Sequence, residues 1–198
     1  MSLDRRAALG LALAGVAFLA SAAYLIARRP AASDDEQPAI GGPFRLAAST
    51  GGFVDSRDLA GHPFGIYFGF THCPVICPTT LNQLSEDLGK LGNAGKDLRI
   101  FFVTVDPERD RPEAMQDYLS SFDARVVGLT PTPGELADIA RAWRITYQKV
   151  PTSDGSYTMD HTAIVFLMDR RGGLAATLAP DEAPETRLEK LRRLVAAS

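Results

Sequence analysis

The residues of this chain best suited to chemistry are two cysteines in the run Phe70-Thr71-His72-Cys73-Pro74-Val75-Ile76-Cys77-Pro78. The run joins an apolar, strand-like stretch to a helix. Backbone N–H groups and the positive end of a helix dipole at such a corner favour thiolate over thiol. Two thiolates four positions apart can form a disulfide, act as a redox couple, or supply half of a soft-metal site. A static disulfide is the weakest of the three readings. So short a loop gains little from chain entropy and leaves the bridge strained and reducible.

The chain has 3 histidines, His62, His72 and His161. His62 sits in the turn Gly61-His62-Pro63 with no partner in sequence. His72 adjoins Cys73, yet adjacent side chains on a loop diverge, which leaves it a structural or charge-tuning role. His161 lies in Asp160-His161-Thr162, just before an apolar strand. If that strand runs parallel to the one feeding the cysteines, His161 falls at the wrong end of the sheet; an antiparallel pairing brings it to the cysteine corner. Two thiolates and one imidazole form a soft three-donor set suited to Cu(I) and able to accept Cu(II). Zinc normally takes a fourth ligand, and with 2 cysteines in the chain none is at hand.

The elements that must position these groups follow from periodicity. Phe44 to Leu46 and Phe53-Val54, divided by Gly51-Gly52, read as a short hairpin. The continuous apolar run from Phe64 to Phe70 predicts a strand buried on both faces. Leu81, Leu84, Leu88 and Leu91 recur at helical spacing, predicting a helix from Pro78 to Leu91 with Cys77 at its start. Leu98 to Val105 is a second buried strand. Asp110-Arg111-Pro112-Glu113 reads as an acidic cap for a helix carrying Met115, Tyr118, Leu119 and Phe122. Val126 to Leu129 is a short strand, and Thr132-Pro133-Gly134-Glu135 caps a helix bearing Leu136, Ile139, Ala140 and Trp143. Thr162 to Met168, the turn Gly172-Gly173, and Leu174 to Leu178 form a closing hairpin, followed by a helix with Leu188, Leu191 and Val195 on one face. Alternating strands and helices of this kind imply an α/β domain with a mixed, mainly parallel sheet covered on both faces.

The N-terminal segment differs in kind. Ala7 to Ala27 is free of charge over 21 residues and is bracketed by Arg5, Arg6, Arg28 and Arg29. At about 1.5 Å per residue it spans roughly 30 Å, the thickness of a bilayer core. The expected organisation is a short cytoplasmic segment 1–6, a transmembrane helix 7–27, a flexible tether 28–42 and a folded domain 43–198. A cleaved signal peptide ending near Ala20-Ser21-Ala22 is the alternative. Either route puts the domain outside the cytoplasm, where a cysteine pair needs a dedicated partner to stay reduced. A formal charge of −3 leaves no basic field for nucleic acid.

Three stretches in order carry a resemblance to a known family: F-G-F-T-H-C-P-V-I-C-P, then V-D-P-E-R-D-R-P-E from Val105 to Glu113, then D-H-T-A-I-V-F-L-M-D from Asp160 to Asp169. Together they resemble the Sco/SenC family of copper-handling proteins over roughly Phe44 to Val195. The resemblance implies a thioredoxin-like fold tethered to the bacterial inner membrane and facing the periplasm, or to the mitochondrial inner membrane facing the intermembrane space. It implies one copper held by Cys73, Cys77 and His161. It further implies a role in maturing the CuA centre of cytochrome c oxidase, by copper delivery, by reduction of the target's cysteines, or both. The implied partners are the CuA-bearing subunit, other copper chaperones and thiol reductants. Many family members carry an acidic residue where this chain has Val75, a change in local charge that leaves the ligands untouched. Asp106, Arg109 and Asp110 also belong to the family pattern, but as structural residues rather than ligands. A general thiol oxidoreductase would be expected to show C-x-x-C spacing, and a peroxidase of the same fold a different cysteine loop.

Overall fold

The structure, a computed structural model, describes residues 40–197. The expected membrane span 7–27 and the tether up to residue 39 lie outside the described residues. Among the described residues no helix is long and apolar enough to cross a membrane.

In chain order the elements are β1 (Arg45–Ala48), β2 (Phe53–Asp55), β3 (Phe64–Gly69), α1 (Ile76–Leu91), β4 (Arg99–Thr104), α2 (Pro112–Leu119), β5 (Val126–Thr130), α3 (Pro133–Trp143), β6 (Tyr147–Pro151), β7 (Tyr157–His161), β8 (Val165–Met168), β9 (Leu174–Leu178) and α4 (Pro184–Ala196). The main sheet has the order β2-β1-β5-β4-β3-β8-β9. Its centre is parallel, β3 beside β4 and β4 beside β5. Antiparallel strands extend it on both sides, with β8 against β3 and β1 against β5. The result is the mixed α/β sheet that the alternation of elements implies.

All six residues of β3 are buried, which explains why the strand carries no polar face. On one side of the sheet Tyr67 packs on Phe102, and Phe102 on Tyr118 of α2. Helix α1 lies on that side too, and α4 joins it through the buried ion pair Arg187–Asp87 at 2.7 Å. On the other side Trp143 of α3 meets Phe68 and Phe166 at ring-centroid distances of 5.9 and 5.5 Å. Helices therefore cover both faces.

Local signals hold at α3, where Thr132 accepts from the Glu135 amide and Glu135 accepts from the Thr132 amide. They fail at α2. Asp110 does not cap that helix; the N-cap is Arg111, whose side chain makes no capping bond, and Pro112 occupies the first turn. The carboxylate of Asp110 is spent elsewhere, as described below. Phe122 follows the end of α2 but still packs on Tyr118.

The strand expected from Thr162 begins only at Val165. Ahead of it stands a hairpin that periodicity did not reveal: β6 and β7 pair antiparallel as a separate two-stranded sheet, with His161 opposite Tyr147. His161 thus ends a strand rather than lying in a loop.

Candidate metal centre

The cysteines sit where β3 runs into α1. Cys77 lies in the first turn of α1 and is fully buried, while Cys73 is half-buried on the preceding loop. The backbone N–H of Cys77 donates to Cys73 Sγ at 3.4 Å, so the helix start turns one of its unpaired donors towards that sulfur. Both thiols are free. The sulfur of Cys77 comes so close to β3 that a Cβ on Gly69 would stand 2.9 Å from it and 2.5 Å from the Phe102 ring. Gly69→Ala is therefore expected to push the sulfur off the strand, lowering stability by about 1–3 kcal/mol. Urea unfolding of the metal-free protein checks this; an unchanged midpoint would show that the ring and sulfur relax freely.

Burial pushes the Cys77 thiol up to about 12, aided by repulsion from the Cys73 sulfur. The helix dipole was expected to favour thiolate at both cysteines; at Cys77 desolvation outweighs it. Accessibility then orders the two sulfurs chemically. In the reduced, metal-free protein iodoacetamide should modify Cys73 first, with Cys77 slower by at least about tenfold on the scale set by access and thiolate fraction. Peptide mapping at partial labelling reads the order, and equal rates would contradict the buried placement.

The antiparallel pairing of β3 with β8 settles where His161 goes. Because β8 runs opposite to β3, its start lies beside the end of β3 that leads to the cysteines. His161 Nε2 stands 3.8 Å from Cys77 Sγ, although 84 residues separate them in sequence. The ring meets Phe70 edge-on at 5.8 Å. Its Nδ1 lies 3.1 Å from the Thr162 carbonyl, a contact that assigns the proton to Nδ1 and leaves the Nε2 lone pair facing the sulfur. Burial lowers the pKa of His161, so the imidazole is neutral at neutral pH, the form in which histidine ligates metals.

The remaining histidines are apart from this corner or peripheral to it. His62 lies before Phe64, at the opposite end of β3 from Gly69. His72 is exposed, its Nδ1 within 3.0 Å of Thr71 Oγ1 and 3.6 Å of Asp110 Oδ1.

Sequence reasoning missed what surrounds the site. Asp110, wholly buried, accepts from the Thr71 amide at 2.9 Å, from the Thr71 hydroxyl at 2.5 Å and from the Thr104 hydroxyl at 2.6 Å. Asp106, also buried, pairs with Arg109 and accepts from the Tyr157 hydroxyl at 3.0 Å. Arg109 in turn donates to the Tyr157 carbonyl at 3.0 Å and lies 3.8 Å over its ring. Two sequence signals pointed here without revealing the contacts: the family stretch from Val105 to Glu113, and the density of charge in Asp106-Pro107-Glu108-Arg109-Asp110, more than one helix cap needs.

Among the described residues no group of three His, Cys, Asp or Glu side chains already stands ready to hold a metal ion. The donor chemistry nonetheless fits a soft one. Bonds of about 2.3 Å to sulfur and 2.1 Å to nitrogen, opened to about 120°, set the two donor atoms ~3.8 Å apart. That matches the Cys77–His161 distance of 3.8 Å, and Cys73 is the donor that must turn inwards.

A thioredoxin-like sheet carrying a free cysteine pair at one end, its buried member met by a histidine, defines a protein of the thiol and soft-metal class. The chain belongs to the SCO1/SenC family, whose model matches residues 32–196. The copper-bound structure of ScoI from Bradyrhizobium japonicum is 45% identical with a TM-score of 0.73, over 79% of this chain and 99% of that one. The mitochondrial SCO1 homolog of Homo sapiens is 36% identical over 164 residues, covering 75% of this chain and 54% of that protein. A SCO2-like protein of Rickettsia conorii is 36% identical over 155 residues, 77% of this chain and 76% of its own. The chain thus spans about half the length of its human relative.

Proposed function

We propose that this chain is a copper metallochaperone that carries one copper ion on Cys73, Cys77 and His161 and assists assembly of the CuA centre of cytochrome c oxidase. The supporting observation is the approach of His161 Nε2 to Cys77 Sγ, with Nδ1 held by the Thr162 carbonyl. Two sulfurs and a neutral imidazole suit Cu(I), and the imidazole extends the set to Cu(II). Copper is cargo in this reading. Cys73, on the exposed side of the pair, is the donor a docked partner reaches first. The apolar stretch Ala7 to Ala27 would anchor the domain to the inner membrane, facing the periplasm. There a thiol reductant must keep both sulfurs available.

A second reading is favoured by the asymmetry of the cysteines. Half-buried Cys73 receives the Cys77 amide, as an attacking sulfur would, while buried Cys77 lies behind it. In that reading the Cys73 thiolate attacks one sulfur of a partner disulfide and releases the other as a thiolate. Cys77, losing its proton, then displaces the second partner sulfur. The partner leaves reduced, and Cys73 and Cys77 leave as a disulfide.

A copper titration of the full chain in mild detergent, fully reduced and fully oxidised, separates the readings when run beside an insulin-reduction assay. The chaperone reading expects one copper per reduced chain, none tightly held by the oxidised chain, and poor insulin turnover. Fast turnover with weak copper binding would reverse the assignment.

A further inference from the structure

Two consecutive residues outside the donor set grip the two arms of the site. Arg109 holds the histidine arm: its Nη1 donates to the Tyr157 carbonyl at 3.0 Å, and its guanidinium lies 3.8 Å over the Tyr157 ring. Tyr157 begins β7, the strand that ends at His161. The same guanidinium stands 6.0 Å from the centre of the Phe70 ring, whose face meets the edge of His161 or the reverse at 89°. Asp110 holds the cysteine arm, through the amide and hydroxyl of Thr71, two residues before Cys73. Asp110 is itself tied to the sheet by the Thr104 hydroxyl at the end of β4, and its own carbonyl accepts from Thr130 at the end of β5.

This arrangement bears on the one distance that matters. The β6–β7 hairpin is not hydrogen-bonded into the main sheet; it forms its own two-stranded sheet. An isolated two-stranded ribbon is only marginally stable in water and needs outside contacts to hold its place. Bonds to a planar guanidinium fork supply fixed geometry as well as energy.

We propose that Arg109 and Asp110 are positioning residues: adjacent in the chain, they hold the histidine-bearing hairpin and the cysteine-bearing loop to one frame and so set the Cys77–His161 separation. The consequence for metal binding rests on the three-ligand reading above; the effect on the hairpin does not. Arg109→Gln removes the fork and the charge, while Thr71→Val cuts the hydroxyl link to Asp110 and leaves the hairpin contacts alone.

Hydrogen exchange on the metal-free full chain is the first readout. In Arg109→Gln the amides of β6 and β7 should exchange roughly tenfold faster or more, while β3 and β4 stay at wild-type rates. In Thr71→Val the hairpin should keep wild-type exchange. The second readout is the Cu(II) adduct. Arg109→Gln should weaken or shift the imidazole-nitrogen splitting in the EPR spectrum while the thiolate charge-transfer band persists, with copper affinity down about 10–100-fold. Thr71→Val should shift the charge-transfer band and spare the nitrogen splitting. If Arg109→Gln does not fold, Arg109→Lys, which keeps the charge and loses the fork, is read the same way. Wild-type exchange across β6–β7 in the Arg109 variant overturns the frame whether or not copper binds. Nitrogen splitting that survives in His161→Ala overturns the ligand reading instead, and the frame is then decided by the exchange data.

Discussion

Replacing Cys77 is expected to abolish tight copper binding. Of the three donors it is the one the fold commits most deeply, wholly buried and met by His161 Nε2 at 3.8 Å. Loss of an outer-shell partner costs a metal site about 10–100-fold, so loss of a thiolate from a three-donor set should exceed ~100-fold for Cu(I). Two substitutions separate ligation from packing. Cys77→Ser keeps the shape but offers a hard hydroxyl, which is a poor match to a soft ion. It also buries a hydroxyl where His161 Nε2 stands 3.8 Å from the native sulfur, beyond the reach of an O–H···N bond, at a cost of about 1–3 kcal/mol where no partner is found. Cys77→Ala avoids that cost and leaves only a small void. Both should lose copper alike, while the serine variant unfolds at lower urea. Competition against a Cu(I) chelator measures the first effect and equilibrium unfolding the second. An alanine variant that keeps wild-type affinity would remove Cys77 from the donor set.

Much of this geometry was legible in the chain because it rests on long apolar patterns. The continuous apolar run of β3 reads as a strand buried on both faces, and the leucine spacing of α1 marks the face it buries, as the structure shows. The cysteine corner follows from those two elements. What escaped was structure built by exposed residues and by contacts distant in sequence. β6 carries Gln148 and Lys149 outwards and buries none of its residues fully, so it shows no usable alternation. Its partner β7 buries only Met159. Without that hairpin and the sense of β8, the position of His161 had two solutions. Asp110 shows a local rule overruled: the spacing to Glu113 suits a capping box, but a carboxylate that can satisfy two threonines in the interior is stabilised there instead. At Cys77 the helix dipole and burial act in opposite directions. Burial wins because the sulfur lies against Gly69 and Phe102 rather than at the helix mouth.

Replacing His161 should divide the two oxidation states of copper. In His161→Ala both sulfurs remain, and a pair of thiolates is a sufficient, though weaker, site for Cu(I). Cu(II) depends far more on the borderline nitrogen donor, so its affinity should fall by well over ~100-fold, beyond the outer-shell range, while Cu(I) falls by about 10–100-fold. The fold should bear the change. His161 is only half-buried, at the end of a hairpin outside the main sheet, and it is held by an edge contact with Phe70, the bond to Thr162 and the long approach to Cys77 Sγ. A shift in melting temperature of a few degrees, corresponding to about 1 kcal/mol or less, is the expected limit. The two affinities come from parallel chelator competitions under reducing conditions for Cu(I) and with freshly reduced, reductant-free protein for Cu(II). Equal losses in both states would mean that the imidazole ligates neither preferentially. No loss in either would leave the 3.8 Å approach as a thiol–imidazole hydrogen bond, with the sulfurs serving the redox reading alone.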